Sequence, residues 1–227
     1  MQGVFFDKMR AYFGSLNQGH VDGANAIGLA SADLPLKHRA YMLATAWHET
    51  AHTLQPIEEY GKGAGRAYGT PDGPWHKVYD GRGDVQLTWL RNYVLANSKL
   101  HALGVLKPDE DLVKKPELAL RQDIAAAIMV HGMEEGWFTG KKLADFTDYL
   151  NMRRIINGTD KADLIAQYAI KFEDCLKADS AAVIVATEPH DAPKPEPLPI
   201  PPVAHKPQPA SLLQIIINIL TILFKRK

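Results

Sequence analysis

Residues 36–52 read LKHRAYMLATAWHETAH, and this stretch shows how the chain is built. Apolar side chains recur there at helical intervals, at Leu36, Ala40, Leu43, Ala44 and Trp47. Spacings of four, seven, eight and eleven residues place them on one face of a helix, so the pattern predicts a helix with an apolar stripe facing a core. Its last turn carries the pattern H-E-x-x-H, which places reactive side chains at the edge of that core.

The flanking sequence predicts a mainly α protein with a small β element. Further helices are expected near residues 4–13, 21–29, 89–103 and 116–136, and from behind Thr159 to about residue 177. Residues 54–86 are rich in Gly and Tyr, with the turn cluster Pro71-Asp72-Gly73-Pro74, and predict a loop with short strands.

Composition excludes several classes of protein. An apolar content of 46% suits a folded core and excludes general disorder. The formal net charge is zero, so the basic signature of a nucleic-acid binder is missing and no nucleic-acid partner is expected. Cys175 is the one cysteine, which excludes a disulfide framework, and it is expected to be a small buried apolar residue. No apolar run reaches the ~18–20 residues of a spanning helix.

The last forty residues differ from the rest of the chain. Nine of the 15 prolines lie in residues 189–209, and residues 189–227 carry five Lys or Arg against two acidic residues, a net charge of +3. Because the whole chain is neutral, the remainder carries −3. We predict a catalytic domain over residues 1–180, a proline-rich linker over 181–210 in extended polyproline II conformation, and a tail helix over 211–227.

The predicted tail helix suggests membrane contact. Residues 211–224 read SLLQIIINILTILF, followed by Lys225, Arg226 and Lys227. A helix over residues 212–224 would be ~20 Å long, too short to span the ~30 Å hydrocarbon core, but its cationic end suits an anionic membrane surface. Docking on the body or self-association is the alternative. The N-terminus shows no secretory signal, so synthesis in the cytoplasm of the producing cell is expected.

The pattern His48-Glu49-Thr50-Ala51-His52 permits a zinc site. Two histidines at i and i+4 on one helical face can bind zinc while Glu49 acts as general base, as in metallopeptidases. Zinc also needs a third protein ligand, which no downstream spacing nominates.

A pair of carboxyl groups is the competing interpretation. Glycoside hydrolysis needs one protonated carboxyl group for the leaving oxygen and one ionised group for water. Glu49 lies about 200° around the helix from Trp47, away from the core, and Glu58 or Glu59 on the following loop would stay solvated and ionised. By spacing alone the two acidic residues of the loop are not distinguished.

Four motifs in order resemble one family. They are residues 44–50 (ATAWHET), 57–61 (IEEYG), 81–89 (GRGDVQLTW) and 153–159 (RRIINGT), and residues 132–140 (GMEEGWFTG) add to them. Over about residues 5–177 the chain resembles phage endolysins of the chitinase-like family 19 glycoside hydrolases. The resemblance implies a lysozyme-like α+β fold with a small β element beside the active-site cleft. It also implies inverting cleavage of β-1,4 bonds between amino sugars, with carboxyl groups ~6.5–9.5 Å apart.

The resemblance also assigns roles to residues. Glu49 matches the general acid, Glu58 the second carboxylate, with Glu59 as its rival, and Thr88 the hydroxyl that holds the attacking water. The residues implied to contact substrate are Tyr60, Arg82, Gln86, Asn92, Arg154 and Asn157.

A few positions carry separate expectations. Asp80 stands where the family often has Tyr and is expected beside the cleft, where it would alter substrate preference. Arg82 is also expected to brace its turn. Trp47, Trp89 and Trp137 are expected in the core, and Trp75 is the better candidate for stacking on a sugar.

Together these features predict a lysis enzyme of a phage or prophage. Its partner would be bacterial peptidoglycan, its place of action the cell wall or periplasm, and its state a monomer without metal or cofactor. The alternatives are a zinc peptidase using His48 and His52, and a non-catalytic, membrane-targeted protein that binds the cell wall.

Overall fold

The computed structural model describes residues 1–187, which form one compact, mainly helical unit. The α-helices and strands of this part are α1 (Gly3–Phe13), α2 (Gln18–Ala30), α3 (Leu36–Glu49), β1 (Ile57–Glu58), β2 (Arg82–Gly83), α4 (Leu90–Ala102), α5 (Gln122–Glu135), α6 (Tyr149–Met152) and α7 (Ala162–Thr187). Short 3₁₀ turns lie at Ala67–Gly69, Pro116–Leu120, Leu143–Asp145 and Arg153–Ile155. The predicted mainly α class with a small β element is confirmed.

Helix α3 runs through the centre of the core. All eight residues from Ala40 to Trp47 are buried, and α7 packs along α3 and also against α1. The predicted apolar stripe therefore faces the core, but burial extends around the whole helix between Ala40 and Trp47. A helix enclosed in this way is held rigidly, so the residue at its end has a fixed position.

Helix α3 ends at Glu49, three residues before the predicted end at His52. The Thr50 hydroxyl donates to the Ala46 carbonyl at 2.7 Å and accepts from the Leu54 amide at 2.9 Å. Ala51 and His52 then adopt positive φ angles of 51° and 69°, which turn the chain away from the helix. Glu49 is thus the last helical residue, at the edge of the core.

The small β element is a two-stranded antiparallel pair. Ile57 lies opposite Gly83, and Glu58 lies opposite Arg82. Gly83 has a φ of 87°, in the left-handed region that favours glycine, and a Cβ there would come within 3.0 Å of the Ala119 carbonyl oxygen. The Gly-Arg-Gly turn therefore needs a glycine here for its backbone angle and for its close contact.

Other helical segments also differ from prediction. The segment expected as one helix over 116–136 is a 3₁₀ turn followed by α5, because Arg121 between them has extended backbone, with ψ of 128°. Helix α7 continues to Thr187, about ten residues beyond its expected end. Helix α6 was not predicted, and its side-chain cap is the Asp148 carboxylate, which accepts from the Asn151 amide.

Cys175 is fully buried in α7 as expected, and burial raises the pKa of its thiol to about 12. Within residues 1–187 no helix has both the length and the apolar character needed to cross a membrane. The predicted linker from residue 188 onward and the tail helix over 211–227 lie outside the described residues.

Candidate active site

A cavity of about 420 Å³ opens at the end of α3, beside the β element. Five of the residues predicted for the site line it, namely Glu49, Gln86, Thr88, Asn92 and Asn157. The other lining residues are Tyr68, Val85, Leu87, Trp89, Phe138 and Ile156. Of the described side chains on this wall, only Glu49 is acidic. Polar groups of this kind, placed among aromatic and aliphatic ones, suit a ligand rich in hydroxyl and amide groups.

Glu49 is paired with an arginine from the 3₁₀ turn Arg153–Ile155. Arg153 donates from Nη1 to Glu49 Oε1 at 2.7 Å, and from Nε to the Asp160 carbonyl at 2.8 Å. The Arg153 side chain is 1% exposed and that of Glu49 is 18% exposed. The second oxygen of Glu49 is left for the cavity, so the carboxyl group is both fixed in direction and accessible.

Two hydroxyl groups on α3, Tyr41 Oη and Thr45 Oγ1, lie buried one helical turn apart, and neither has a hydrogen-bond partner outside this pair. Burial is the main cause that raises the pKa of Tyr41 to about 12. The charges of Arg153 and Glu49 reach Tyr41 with opposite effects on this pKa, so the phenol lies near the ion pair. It is neutral at physiological pH and adds no charge beneath the site.

The 86–92 segment is ordered by a chain of side-chain hydrogen bonds. Gln86 Nε2 donates to the Ile57 carbonyl on β1 at 3.1 Å, and Thr88 Oγ1 donates to the Gln86 carbonyl at 2.7 Å. Asn92 Nδ2 in turn donates to the Thr88 carbonyl at 2.8 Å. Because the Thr88 proton is engaged, its oxygen lone pairs are presented as acceptors, which suits a hydroxyl that binds water.

Glu58 lies on β1, and not on a loop as expected, and it is absent from the lining of this cavity. Arg82 donates to its Oε1 from Nε at 3.0 Å and from Nη2 at 2.9 Å, and Lys62 Nζ lies 2.8 Å from Oε2. The bonds from Lys62 and Arg82 lower the pKa of Glu58. The Lys62 side chain is 71% exposed, so this partner can be displaced.

Glu59 makes structural hydrogen bonds with both carboxylate oxygens. Oε1 accepts from the Tyr68 hydroxyl at 3.1 Å, and Oε2 accepts from the Gly81 amide at 3.3 Å. Glu59 thus ties the loop that carries Tyr68 to the start of β2. Tyr60 beside it is 90% exposed and does not line the cavity.

Arg82 and Asp80 are buried beneath the β element. Arg82 reaches Glu58, the Val78 carbonyl at 3.1 Å and Tyr93 Oη at 3.3 Å. It therefore braces its turn, as expected, and lies outside the cavity lining. Asp80 is fully buried and faces Arg82 Nη2 at 2.6 Å, so the expectation that Asp80 lies beside the cleft was wrong.

Arg154 does not reach the cavity, whereas its neighbour Arg153 was missed. Arg154 is exposed, and Arg153 is the residue that binds Glu49. The two arginines are adjacent in the 153–159 motif, and no sequence signal showed which of them is buried. Tyr68 and Phe138 were also missed. Phe138 lies in the quoted 132–140 motif, but no residue of that motif was assigned to the site, and no sequence signal placed Tyr68 at the cavity.

The burial of the four tryptophans agrees only in part with prediction. Trp47 is buried and Trp137 is partly buried against the core, as predicted. Trp89 was expected in the core but is 40% exposed and lines the cavity. Trp75 is 46% exposed, with Lys114 Nζ 4.8 Å from its ring centroid, and it lies outside the cavity lining.

His48 and His52 do not share one helical face. His48 lies in the last turn of α3, and burial is the main cause that lowers its pKa. His52 follows the end of the helix, stacks on Trp47 at 5.1 Å between ring centroids, and lies 3.3 Å from the Tyr168 hydroxyl. The i, i+4 geometry that the zinc hypothesis requires is therefore not formed.

The fold has known counterparts. No protein-family model matches the chain, and no curated protein matches its sequence. Chitinase C from Streptomyces griseus HUT6037 matches with a TM-score of 0.51 and 21% identity over 78% of each chain. A bacterial family 19 chitinase gives a TM-score of 0.48 and 22% identity, over 75% of this chain and 93% of that chain. The fold is therefore the lysozyme-like α+β fold found in chitinase C.

Proposed function

We propose that this protein is a glycoside hydrolase that cleaves β-1,4 bonds between amino sugars in bacterial peptidoglycan, and that it serves as a phage-type endolysin. The observation that carries the proposal is Glu49, a fixed carboxyl group at the end of a buried helix, facing a polar and aromatic cavity. The fold shared with a chitinase supports the chemistry, and the four ordered motifs support the endolysin branch.

The proposed mechanism is a single displacement. Water held by Thr88 attacks the anomeric carbon while the glycosidic C–O bond breaks. Glu49, protonated in the substrate complex, gives its proton to the leaving oxygen. Glu58 lies outside the cavity lining while it pairs with Lys62 and Arg82, and it takes a proton from the water once the exposed Lys62 is displaced, so the product forms with inverted configuration. The lowered pKa of Glu58 keeps it ionised at neutral pH, as a base requires, whereas both oxygens of Glu59 are engaged by Tyr68 and Gly81.

The test is turnover by Glu49→Gln on purified cell walls. We expect a loss of about 10³-fold in kcat, because a positioned acid contributes ~10²–10⁴-fold. The amide oxygen of glutamine can still accept from Arg153, but the buried guanidinium loses its compensating charge, so the variant should fold with a lower thermal midpoint than the wild type. Wall-clearing activity within a few-fold of the wild type would overturn the assignment of Glu49.

A second pair of variants distinguishes the two rival carboxylates. Glu58→Gln should remove most turnover with little change in stability, and Glu59→Gln should keep turnover while loosening the Tyr68 loop. The reverse ranking would assign the role of base to Glu59.

Reducing-end analysis of the released fragments identifies which amino-sugar bond is cut, and proton NMR of the first product reports whether the configuration inverts.

A further inference from the structure

A second depression adjoins the cavity and shares one wall with it. It has a volume of about 470 Å³ and is lined by Asp72, Trp89, Leu90, Arg91 and Val94. We call it the side groove. Trp89 lines both the cavity and the side groove, so a ligand that fills the first can extend directly into the second.

Trp89 is held in an unusual conformation at this junction. Its φ is 73°, in the left-handed region that a bulky side chain rarely adopts. Its amide donates to the Tyr79 carbonyl at 2.8 Å, and the Tyr68 ring packs edge-on against its indole at 5.4 Å. The surrounding structure thus maintains a strained backbone that leaves the indole 40% exposed between two recesses, which is typical of a functional position.

The side groove combines an apolar floor with one charge of each sign. Leu90 is half-buried and Val94 is 48% exposed, and together with the indole they form the apolar surface. Arg91 is exposed, with its guanidinium carbon 5.6 Å from the Trp89 ring centroid. Asp72 supplies the negative charge from the opposite loop, where its Oδ1 accepts from the Gly73 amide.

We propose that the side groove binds the peptide substituent that muramic acid residues of peptidoglycan carry. This inference rests on the proposed function, because it takes an amino-sugar chain in the adjoining cavity as given. A stem peptide offers small apolar side chains, free carboxylates and, at a diamino acid, an ammonium group. Val94, Leu90 and Trp89 suit the apolar side chains of the peptide. Arg91 can pair with a carboxylate, and Asp72 can pair with the ammonium group.

The experiment compares one variant on two forms of the same glycan. Soluble peptidoglycan strands are assayed intact and after an amidase has removed their stem peptides. Arg91→Gln should lower kcat/KM on the intact strands by about 10-fold and leave kcat/KM on the peptide-free strands unchanged. The matched control is Lys114→Gln, which removes an exposed cation over another tryptophan, Trp75, outside the side groove, and should change neither value.

The outcomes separate the two proposals. A wild type active on both strands, with Arg91→Gln affecting both equally or neither, would overturn the side-groove proposal alone. A wild type inactive on both would overturn the proposed function. In that case calorimetric titration with free stem peptide decides the side groove: about 10-fold weaker binding by Arg91→Gln supports it, and equal binding or no binding overturns it.

Discussion

Arg153 and Arg154 are adjacent in the sequence but lie in opposite environments, one buried on Glu49 and the other exposed. Breaking a buried ion pair leaves an uncompensated charge, so Arg153→Met should lower the free energy of unfolding by about 3 kcal/mol. It should also lower kcat at least tenfold, because Glu49 loses its fixed direction. The matched change Arg154→Met should stay within about 0.5 kcal/mol in stability.

Urea unfolding and wall-clearing rates measure both effects. Arg153→Lys keeps the cation but cannot reach Glu49 and the Asp160 carbonyl with one planar fork, so an intermediate loss is expected. Equal losses in Arg153→Met and Arg154→Met would show that the Glu49–Arg153 pair contributes neither stability nor positioning.

The buried carboxyl group of Asp84 should make the stability of the folded protein depend on pH in an unusual way. Its carboxyl group is fully buried in the turn after β2, neither oxygen has a hydrogen-bond partner, and burial raises its pKa from 3.8 to about 7. Between about pH 4 and pH 7 the unfolded state releases this proton while the folded state keeps it. The Asp84 contribution to stability therefore falls as pH rises across this window, by on the order of 4 kcal/mol.

The change Asp84→Asn isolates this contribution. The free energy of unfolding of the variant minus that of the wild type should rise with pH between about 4 and 7 and level off above, because asparagine has no proton to lose. Denaturant titrations at several pH values measure the difference, in which the contributions of other groups cancel. A difference that does not change with pH would contradict the buried, unpartnered state of Asp84.

At the scale of elements, α2 lies directly against the segment that follows α3. A Cβ on Gly23 of α2 would come within 1.8 Å of the Leu54 carbonyl oxygen. Alanine normally favours a helix over glycine by ~1 kcal/mol, but here the clash should dominate. We expect Gly23→Ala to destabilise the protein by about 3 kcal/mol, with a lower urea midpoint as the measurement.

Gly28 in the same helix is the matched control. A Cβ there would meet only the flexible end of the Met1 side chain, at 2.7 Å, so Gly28→Ala should be neutral or slightly stabilising. If both changes prove neutral, α2 can move away from the Leu54 carbonyl without cost, and the end of α3 does not depend on this contact.

Sequence periodicity predicted the helices well and their ends less well. Helix α1 was expected over residues 4–13 and spans Gly3–Phe13, and the apolar positions quoted for α3 all lie within its observed bounds. The end of α3 is set by the Thr50 hydroxyl and two left-handed residues, and periodicity carries no information about either. The break at Arg121 likewise arises from one extended residue between two helical segments.

The site was predictable where the resemblance assigned residues to it. Glu49, Gln86, Thr88 and Asn157 lie in three quoted motifs, Asn92 lies three residues beyond one of them, and all five line the cavity. Tyr68 and Phe138 arrive from distant segments whose placement depends on the closed fold. The choice between Arg153 and Arg154 depends on the orientation of a short 3₁₀ turn, where successive side chains point about 120° apart.

At the scale of the whole molecule, the chain combines two parts of opposite charge. Residues 1–187 form a compact unit, and the sequence from residue 188 onward is proline-rich and then apolar and cationic. We propose that the last residues bring the protein to an anionic membrane surface, to which each cationic side chain contributes ~1 kcal/mol. Neutralising Lys225, Arg226 and Lys227 should therefore weaken vesicle binding by about 100-fold.

Sedimentation with vesicles tests this proposal directly. The full chain should sediment with phosphatidylglycerol-containing vesicles and much less with purely zwitterionic ones. The triple change to glutamine should reduce binding, and residues 1–187 alone should stay in the supernatant while still clearing purified walls. If the full chain and the truncated chain partition equally, the tail does not contact membranes. Sedimentation velocity would then show a full-length oligomer if the tail self-associates and a monomer if it docks on the body.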